Sequence, residues 1–164
     1  MIRNKLVFLL LISCFVVITG CSGRLESPSS ESQAESVIQK ENLTAISILM
    51  YREGSEKAQP ELISTISEES KRKQFVNWMN KGTKKNLDGT VNSLSVLILE
   101  YGTNEVVTQR KYLMYAKTKE GDHYIKLFEM RPDFDLDSYK QKDAERLIAL
   151  LGKTDWYKVE QPPY

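Results

Sequence analysis

The chain has 164 residues, of which 41% are hydrophobic, and it carries 23 Lys and Arg against 22 Asp and Glu for a net charge of +1. This length fits one folded domain, and the balanced charge excludes the strong basic excess of a nucleic-acid-binding protein. Two cysteines are too few for a dense disulfide framework or a four-thiolate zinc site.

The first twenty residues have the organisation of a secretion signal. Arg3 and Lys5 place positive charge at the start, and residues 6–18 are then apolar apart from Ser13. This stretch fits the about 7–15 apolar residues of a signal peptide and is shorter than the about 20 that a membrane-spanning helix needs. We therefore expect residues 1–20 to be removed from the mature protein.

A short motif at the end of this segment indicates lipidation. Residues 18–21 are Ile-Thr-Gly-Cys, and they resemble the lipobox of bacterial lipoproteins. The resemblance implies cleavage between Gly20 and Cys21 and a diacylglycerol on the Cys21 sulfur, with or without a fatty acyl group such as palmitate on its amino group. Two acyl chains anchor stably. The resemblance further implies an outward-facing, lipid-anchored protein on the cell membrane of a Gram-positive envelope. The alternatives are an uncleaved anchor or an ordinary signal peptide in which Cys21 is incidental.

A polar segment separates this motif from the folded part of the chain. Residues 21–42 contain the lipidated cysteine and are dominated by Ser, Glu and Gln, a composition that predicts a flexible tether. A short helix at 34–40 is the alternative. From residue 43 the composition becomes apolar, which predicts a single domain over 43–158 and a frayed C-terminal tail over 159–164.

The domain begins with two predicted strands, at 45–51 and 61–65, joined by a turn that contains Gly54. A helix follows, with Ser67 as its N-cap and Gly82 at its end. Its apolar side is formed by Phe75, Val76, Trp78 and Met79.

Three strands, at 94–101, 106–116 and 123–130, then form a predicted antiparallel meander. The last helix has Asp135 or Asp137 as its N-cap and Gly152 at its C-terminus, and residues 156–159 add a short edge strand. The order ββαβββα(β) predicts an α+β fold. We expect a small, mainly antiparallel sheet, made of a hairpin plus a three-stranded meander, with two amphipathic helices on one face.

A lipobox, a Ser- and Glu-rich tether and a domain with this element order resemble the small Bacillus-type lipoproteins with a YhfM-like domain. The likeness rests on residues 46–51 (Ile-Ser-Ile-Leu-Met-Tyr), 75–82 (Phe-Val-Asn-Trp-Met-Asn-Lys-Gly) and 112–115 (Tyr-Leu-Met-Tyr), and it covers most of 43–151. It implies the fold and the envelope location but no activity.

Signals of catalysis are weak. His123 is the single histidine, so no multi-histidine metal site can form, and its place after a predicted turn is typical of a surface residue. The sequence contains no motif of a serine hydrolase, a zinc protease or a phosphate-binding loop. A glycosidase would need two carboxyl groups about 5–10 Å apart in a cleft. The acidic residues on or beside the meander are Glu100, Glu105, Asp122 and Glu129.

Three alternating acidic residues, Asp133, Asp135 and Asp137, precede the last helix. Spaced aspartates of this kind can ligate Ca²⁺, but Ser138 and Ala144 stand where an EF-hand loop requires Gly and Glu. Capping of the helix is therefore the favoured interpretation, and we expect no metal and no cofactor.

Two surfaces are candidates for contact with a partner. Lys81, Lys84 and Lys85 give the end of the first helix a basic character that suits anionic lipid or wall polymer. Tyr112 and Tyr124 are expected mainly in the core or at its edge. The alternative places them on the sheet face that the helices would leave uncovered, where they could contact a peptide or glycan.

These features together predict a membrane-anchored lipoprotein of the bacterial cell envelope that acts as a non-enzymatic binding or accessory module. Its expected partners are membrane lipid, through Cys21, and an envelope protein or wall polymer, with no nucleic acid. The alternatives are an inhibitor or regulator of an envelope protease or sensor, and an envelope hydrolase that uses acidic residues.

Overall fold

A computed structural model describes residues 37–51, 58–104, 106–132, 134–140 and 143–163. These residues form seven strands, two α-helices and one short 3-10 helix. In chain order they are β1 (Leu43–Met50), β2 (Glu61–Ile66), α1 (Glu69–Asn80), β3 (Thr83–Lys85), β4 (Val91–Thr103), β5 (Val106–Thr118), β6 (His123–Phe128), the 3-10 helix (Leu136–Ser138), α2 (Ala144–Leu151) and β7 (Trp156–Val159).

All seven strands belong to one antiparallel sheet with the order β2-β1-β4-β5-β6-β7-β3. The predicted hairpin and meander are both present, and the pairing of β1 with β4 joins them into a single sheet. The α+β class and the mainly antiparallel sheet are therefore confirmed. The predicted strand at 156–159 also exists, but it is internal, because β3, which the sequence did not indicate, occupies the edge beyond it.

The two helices pack on opposite faces of the sheet, so the expectation that both lie on one face is wrong. Leu97 and Leu99 of β4 share a buried cluster with Phe75 of α1. Val96 belongs to a second cluster with Leu147 of α2. Successive side chains of a strand point to opposite faces, and residues of both parities are buried in β4. We call the side of the sheet that packs against α1 the α1 face, and the side that packs against α2 the α2 face.

Local hydrogen bonds explain why the helix boundaries differ from those predicted. Glu68, rather than Ser67, occupies the N-cap position of α1. The expected last helix is split, because the Asp135 side chain accepts from the backbone N–H of Asp137 at 3.0 Å and closes a single 3-10 turn. Tyr139 is then extended, and α2 begins only at Ala144. Gly152, with a φ of 73°, ends α2 as expected.

The folded domain begins before residue 43 and extends beyond 158. Ile38 is fully buried against α1, and its backbone N–H and C=O are both bonded to the Asn80 side-chain amide at 2.8 Å. Burial of one such side chain contributes about 1.5–3 kcal/mol. At the other end Val159 belongs to β7, and the Glu160 carbonyl accepts from Trp78 Nε1 at 2.8 Å. The predicted tether of 21–42 is therefore fixed at its end, and the predicted frayed tail of 159–164 is fixed at its start.

Candidate functional site

An open groove of about 580 Å³ lies on the α1 face of the sheet. Its floor is formed by four adjacent strands, β2, β1, β4 and β5. One wall is the first half of α1, and the chain after β7 forms another side. The lining residues are Ile48, Met50, Ile63, Ser64, Ile66, Lys71, Gln74, Phe75, Ser93, Ser95, Tyr115, Lys117, Pro162 and Pro163.

The groove exists because small side chains replace large ones along β4. Leu97 and Leu99 fill the space between the sheet and α1, whereas Ser93 and Ser95 occupy the same face nearer the start of the strand. Ser95 is paired with Met50 of β1 and with Tyr115 of β5. Its short side chain leaves room above the strand that a leucine would fill.

An irregularity in β2 brings a further apolar side chain, that of Ile63, into the groove. Ile48 of β1 pairs with Ser64, but the next residue of β1, Leu49, pairs with Leu62. Ile63 is therefore an extra residue on β2, as in a β-bulge, which re-aims side chains at sheet edges. Both Ile63 and Ser64 consequently line the groove, while Leu62 does not.

The charged groups of the groove are basic. Lys71 and Lys117 line it, and among the described residues no Asp or Glu does so. Lys71 pairs with Glu68 at 2.9 Å on the exposed side of α1. The Ser70 hydroxyl and then Lys71 lower the pKa of Glu68. Lys117 forms no ion pair with any described residue, so an anionic ligand would meet its charge uncompensated.

His123 begins β6, is partly buried and contacts the groove-lining residue Tyr115 of β5, so it is not an isolated surface residue. Its Nδ1 is 2.6 Å from the hydroxyl oxygen of Tyr115, whose ring stacks on the imidazole with centroids 5.9 Å apart. Burial, and secondarily the charge of Lys117, lowers the pKa of His123, with Asp122 acting in the opposite direction. One tautomer of the neutral imidazole can therefore accept a hydrogen bond from the Tyr115 hydroxyl. This contact orients the Tyr115 ring, which lines the groove.

The chain after β7 is fixed beside the groove by α1. Trp78 packs against Phe75 with ring centroids 5.0 Å apart, and its indole N–H bonds the Glu160 carbonyl. This contact leads the chain to Pro162 and Pro163, which line the groove. Sequence reasoning missed these two prolines because they were assigned to a frayed tail.

The acidic residues considered for catalysis are separated. Glu100 pairs with Arg110 at 2.9 Å, and Asp122 pairs with Lys158 at 2.7 Å. The Lys158 ammonium lowers the pKa of Asp122, the opposite of what a general acid requires. Glu129 is exposed, and Glu105 lies outside the described residues.

Of the three aspartates before the last helix, Asp135 accepts hydrogen bonds from its neighbours in the chain. Asp135 also accepts from the Ser138 hydroxyl at 2.7 Å, and these bonds lower the pKa of Asp135. Asp133 lies outside the described residues, and Asp137 contributes its backbone N–H. Within the described ranges no group of three or more His, Cys, Asp or Glu side chains is arranged to hold a metal ion.

The five residues considered for contact with a partner are not all exposed. Tyr124 is fully buried in the α2-face cluster, so its interpretation as a core residue is confirmed and its place on a partner surface is wrong. Tyr112 is half-buried on the same face, against Phe128 at 6.0 Å. One helix packs on each face of the sheet, so neither face is left without a helix, as this prediction needed. The three lysines are exposed at and before the β3 edge: Lys81, Lys84 and Lys85.

Comparisons with protein-family models, with curated proteins and with solved structures returned no match for this chain. Gly20 and Cys21 lie outside the described residues. None of the helices formed by the described residues is long and apolar enough to cross a membrane.

Proposed function

We propose that this protein is a membrane-anchored lipoprotein of the bacterial cell envelope that acts as a non-enzymatic binding module, with the groove on the α1 face as its binding surface. The lipobox-like residues 18–21 support the location, and the groove supports the activity. The observation that carries the binding role is an open cavity with an apolar lining, a few polar groups and two lysines.

The chemistry of this lining favours binding over hydrolysis. Ligand sites of about 300–1,000 Å³ are mostly apolar and use a few polar groups to orient the ligand. Here the polar groups are hydroxyls, one amide and two ammonium groups. Two of the four acidic residues considered for a hydrolase, Glu100 and Asp122, are paired with Arg110 and Lys158 and do not line the groove. A regulator of an envelope protease or sensor is a second candidate, because Leu62 and Ile63 expose apolar surface at the sheet edge beside the groove.

The proposed anchor would hold the groove near the membrane. Sixteen residues lead from Cys21 to residue 36, just before the described domain. Even fully extended, they span at most about 50–60 Å. A tether of this reach raises the effective concentration of the domain for partners close to the bilayer.

The binding role is tested with 1-anilinonaphthalene-8-sulfonate, an apolar anion that suits the lysines and the apolar lining. Ile63→Glu places a negative charge in the groove, while Val106→Glu makes the same change at an exposed apolar residue that does not line it. Ile63 is 51% exposed and Val106 is 62% exposed, so neither change disrupts the core. Because the added carboxylate repels the sulfonate and replaces an apolar side chain, we expect Ile63→Glu to weaken probe binding about tenfold and Val106→Glu to leave it within about twofold. Equal binding by both variants would contradict the groove as the site.

The anchor is tested separately by metabolic labelling with palmitate in a Gram-positive host. Wild type and Cys14→Ala should incorporate the label, and Cys21→Ala should not, because only Cys21 follows the lipobox-like residues. Cys14→Ala is the matched control, since it removes the chain's other cysteine. Label in Cys21→Ala, or none in wild type, would refute the lipoprotein assignment.

A further inference from the structure

The outer side of β2 is an unprotected edge beside the groove. β2 pairs with β1 on one side, and no strand formed by described residues lies on the other. Leu62 is 62% exposed and Ile63 is 51% exposed. An edge strand presents a row of unpaired backbone N–H and C=O groups, which is a template for another extended chain.

The edge and the groove share residues, so they form one continuous surface. Ile63, Ser64 and Ile66 belong to β2 and also line the groove. A chain that paired with the free side of β2 would direct alternate side chains towards the α1 face, where the groove opens. Backbone pairing would supply affinity, and the groove would select the side chains, as in β-strand addition.

The charge of the groove limits the chemistry of such a chain. Lys117 has no ion-pair partner among the described residues. Lys71 pairs with Glu68, but both side chains are exposed, and exposed ion pairs contribute little to stability. Both lysines line the groove, and no described acidic residue does. A chain with an acidic group would complement this charge, whereas a second copy of the domain would bring the same lysines to the interface.

Building on the proposed function, we propose that the groove binds an extended peptide segment that adds as an eighth strand at the free edge of β2. The segment places apolar side chains in the groove and an acidic group near Lys117. A strand as long as β2 has six residues and spans about 20 Å, so the recognised unit is a short linear segment.

The test is selection of peptides from a random twelve-residue display library on the full-length protein in lipid nanodiscs. The enriched peptides should alternate apolar and polar residues, contain Asp or Glu, and lack proline in the alternating segment. Their affinities are then measured for wild type and three variants. Lys117→Glu reverses the charge at one residue and leaves the groove with no net positive charge. Leu62→Lys charges the edge without entering the groove, and Val106→Lys is the control.

We expect both Lys117→Glu and Leu62→Lys to weaken the selected peptides about tenfold or more, and Val106→Lys to change affinity less than about twofold. Peptides without an acidic preference, or peptides insensitive to Leu62→Lys, would overturn the strand-addition inference. The inference also falls if wild type sediments as a dimer that Leu62→Lys dissociates, because a second copy would then occupy the edge.

Failure of this inference is distinguishable from failure of the groove as a binding site. If no peptide is enriched but Ile63→Glu still weakens binding of the anilinonaphthalene probe, the groove binds another class of ligand and strand addition is wrong. If Ile63→Glu leaves probe binding unchanged and no peptide is enriched, both proposals are wrong.

Discussion

At one edge of the sheet, β3 presents Thr83, Lys84 and Lys85 to solvent, and at the other, β2 presents Leu62 and Ile63. The β3 edge is three residues long and carries two lysines, one of which pairs with Asp155 at 2.8 Å. Short edges with lysine side chains resist pairing with other chains. β2 is twice as long and has no basic residue. The irregularity at Ile63 and the charged Glu61 at the start of β2 are features that discourage pairing.

The packing beside the two edges also differs. Next to β3, the chain is packed tightly, since a Cβ on Gly82 would lie 2.9 Å from Val159 and 3.1 Å from the Met79 carbonyl oxygen. Next to β2, Ser93 and Ser95 leave the groove open. A protected edge with a filled interior stabilises the domain, whereas an unprotected edge beside a cavity is a surface suited to recognition.

The largest expected effect is on the free energy of unfolding, at the tightly packed part of the sheet beside β3. Trp156 is fully buried in β7, and its indole N–H bonds the Gly152 carbonyl at 2.8 Å. Trp156→Ala should lower the free energy of unfolding by about 3–5 kcal/mol, because it removes a large buried side chain and leaves a cavity. Urea denaturation measures the loss. Trp156→Phe should recover much of the stability, and a loss below about 1 kcal/mol for the alanine variant would show that this side is not tightly packed.

A smaller effect is expected where the chain enters β3. Gly82→Ala should cost about 1–3 kcal/mol, because the added methyl group is too close to Val159 and to backbone oxygen. Thr83→Ala, at the exposed neighbouring residue, should stay within about 0.5 kcal/mol. The two variants are compared by thermal and urea denaturation. If they are equally stable, the tight packing beside β3 contributes nothing.

Elements defined by local pattern could be predicted from the sequence. The hairpin of β4 and β5 is indicated by two β-rich runs across a Gly- and Asn-containing loop, and Asn104 there has the positive φ, 51°, that such turns favour. The apolar side of α1 was also predicted correctly, because its spacing depends only on the helical repeat.

Features that depend on distant parts of the chain were not predicted. The arrangement of the helices on opposite faces was missed, although the uninterrupted apolar run at residues 96–99 is typical of a strand buried on both faces. The groove depends on Ser95 lying opposite α1, on the irregularity at Ile63, and on the return of the chain at Pro162. The first of these has a sequence signal, a small polar residue on an otherwise apolar strand face, while the other two follow from tertiary contacts.

The contrast between the edges can be reversed by exchange of side chains. Lys84→Val combined with Lys85→Val should make β3 resemble β2, and Leu62→Lys combined with Ile63→Lys should do the opposite. These residues are exposed, so the stability of the monomer should change by less than about 1 kcal/mol. Self-association, measured by sedimentation velocity, should rise for the first pair and fall or stay absent for the second. If the Lys84→Val, Lys85→Val variant self-associates no more than wild type does, lysine does not protect the β3 edge.

The smallest expected effect is a pH dependence of stability that arises from His123, which contacts Tyr115 beside the groove. Because burial lowers the pKa of His123 from its usual 6.5, the folded protein binds this proton more weakly than the unfolded chain. The contribution of His123 to stability is therefore complete above about pH 6.5 and is lost as the pH falls through the lowered pKa. Protonation also makes both ring nitrogens donors, so Nδ1 can then no longer accept from the Tyr115 hydroxyl 2.6 Å away. Urea denaturation between about pH 7.5 and about pH 5 should show this loss in wild type and a smaller one in His123→Gln, which has no titrating ring. Asp122 does not obscure the result, since its lowered pKa places its own effect below its usual value of 3.8. The same pH dependence in both proteins would mean that His123 is as accessible to protons in the folded state as in the unfolded chain.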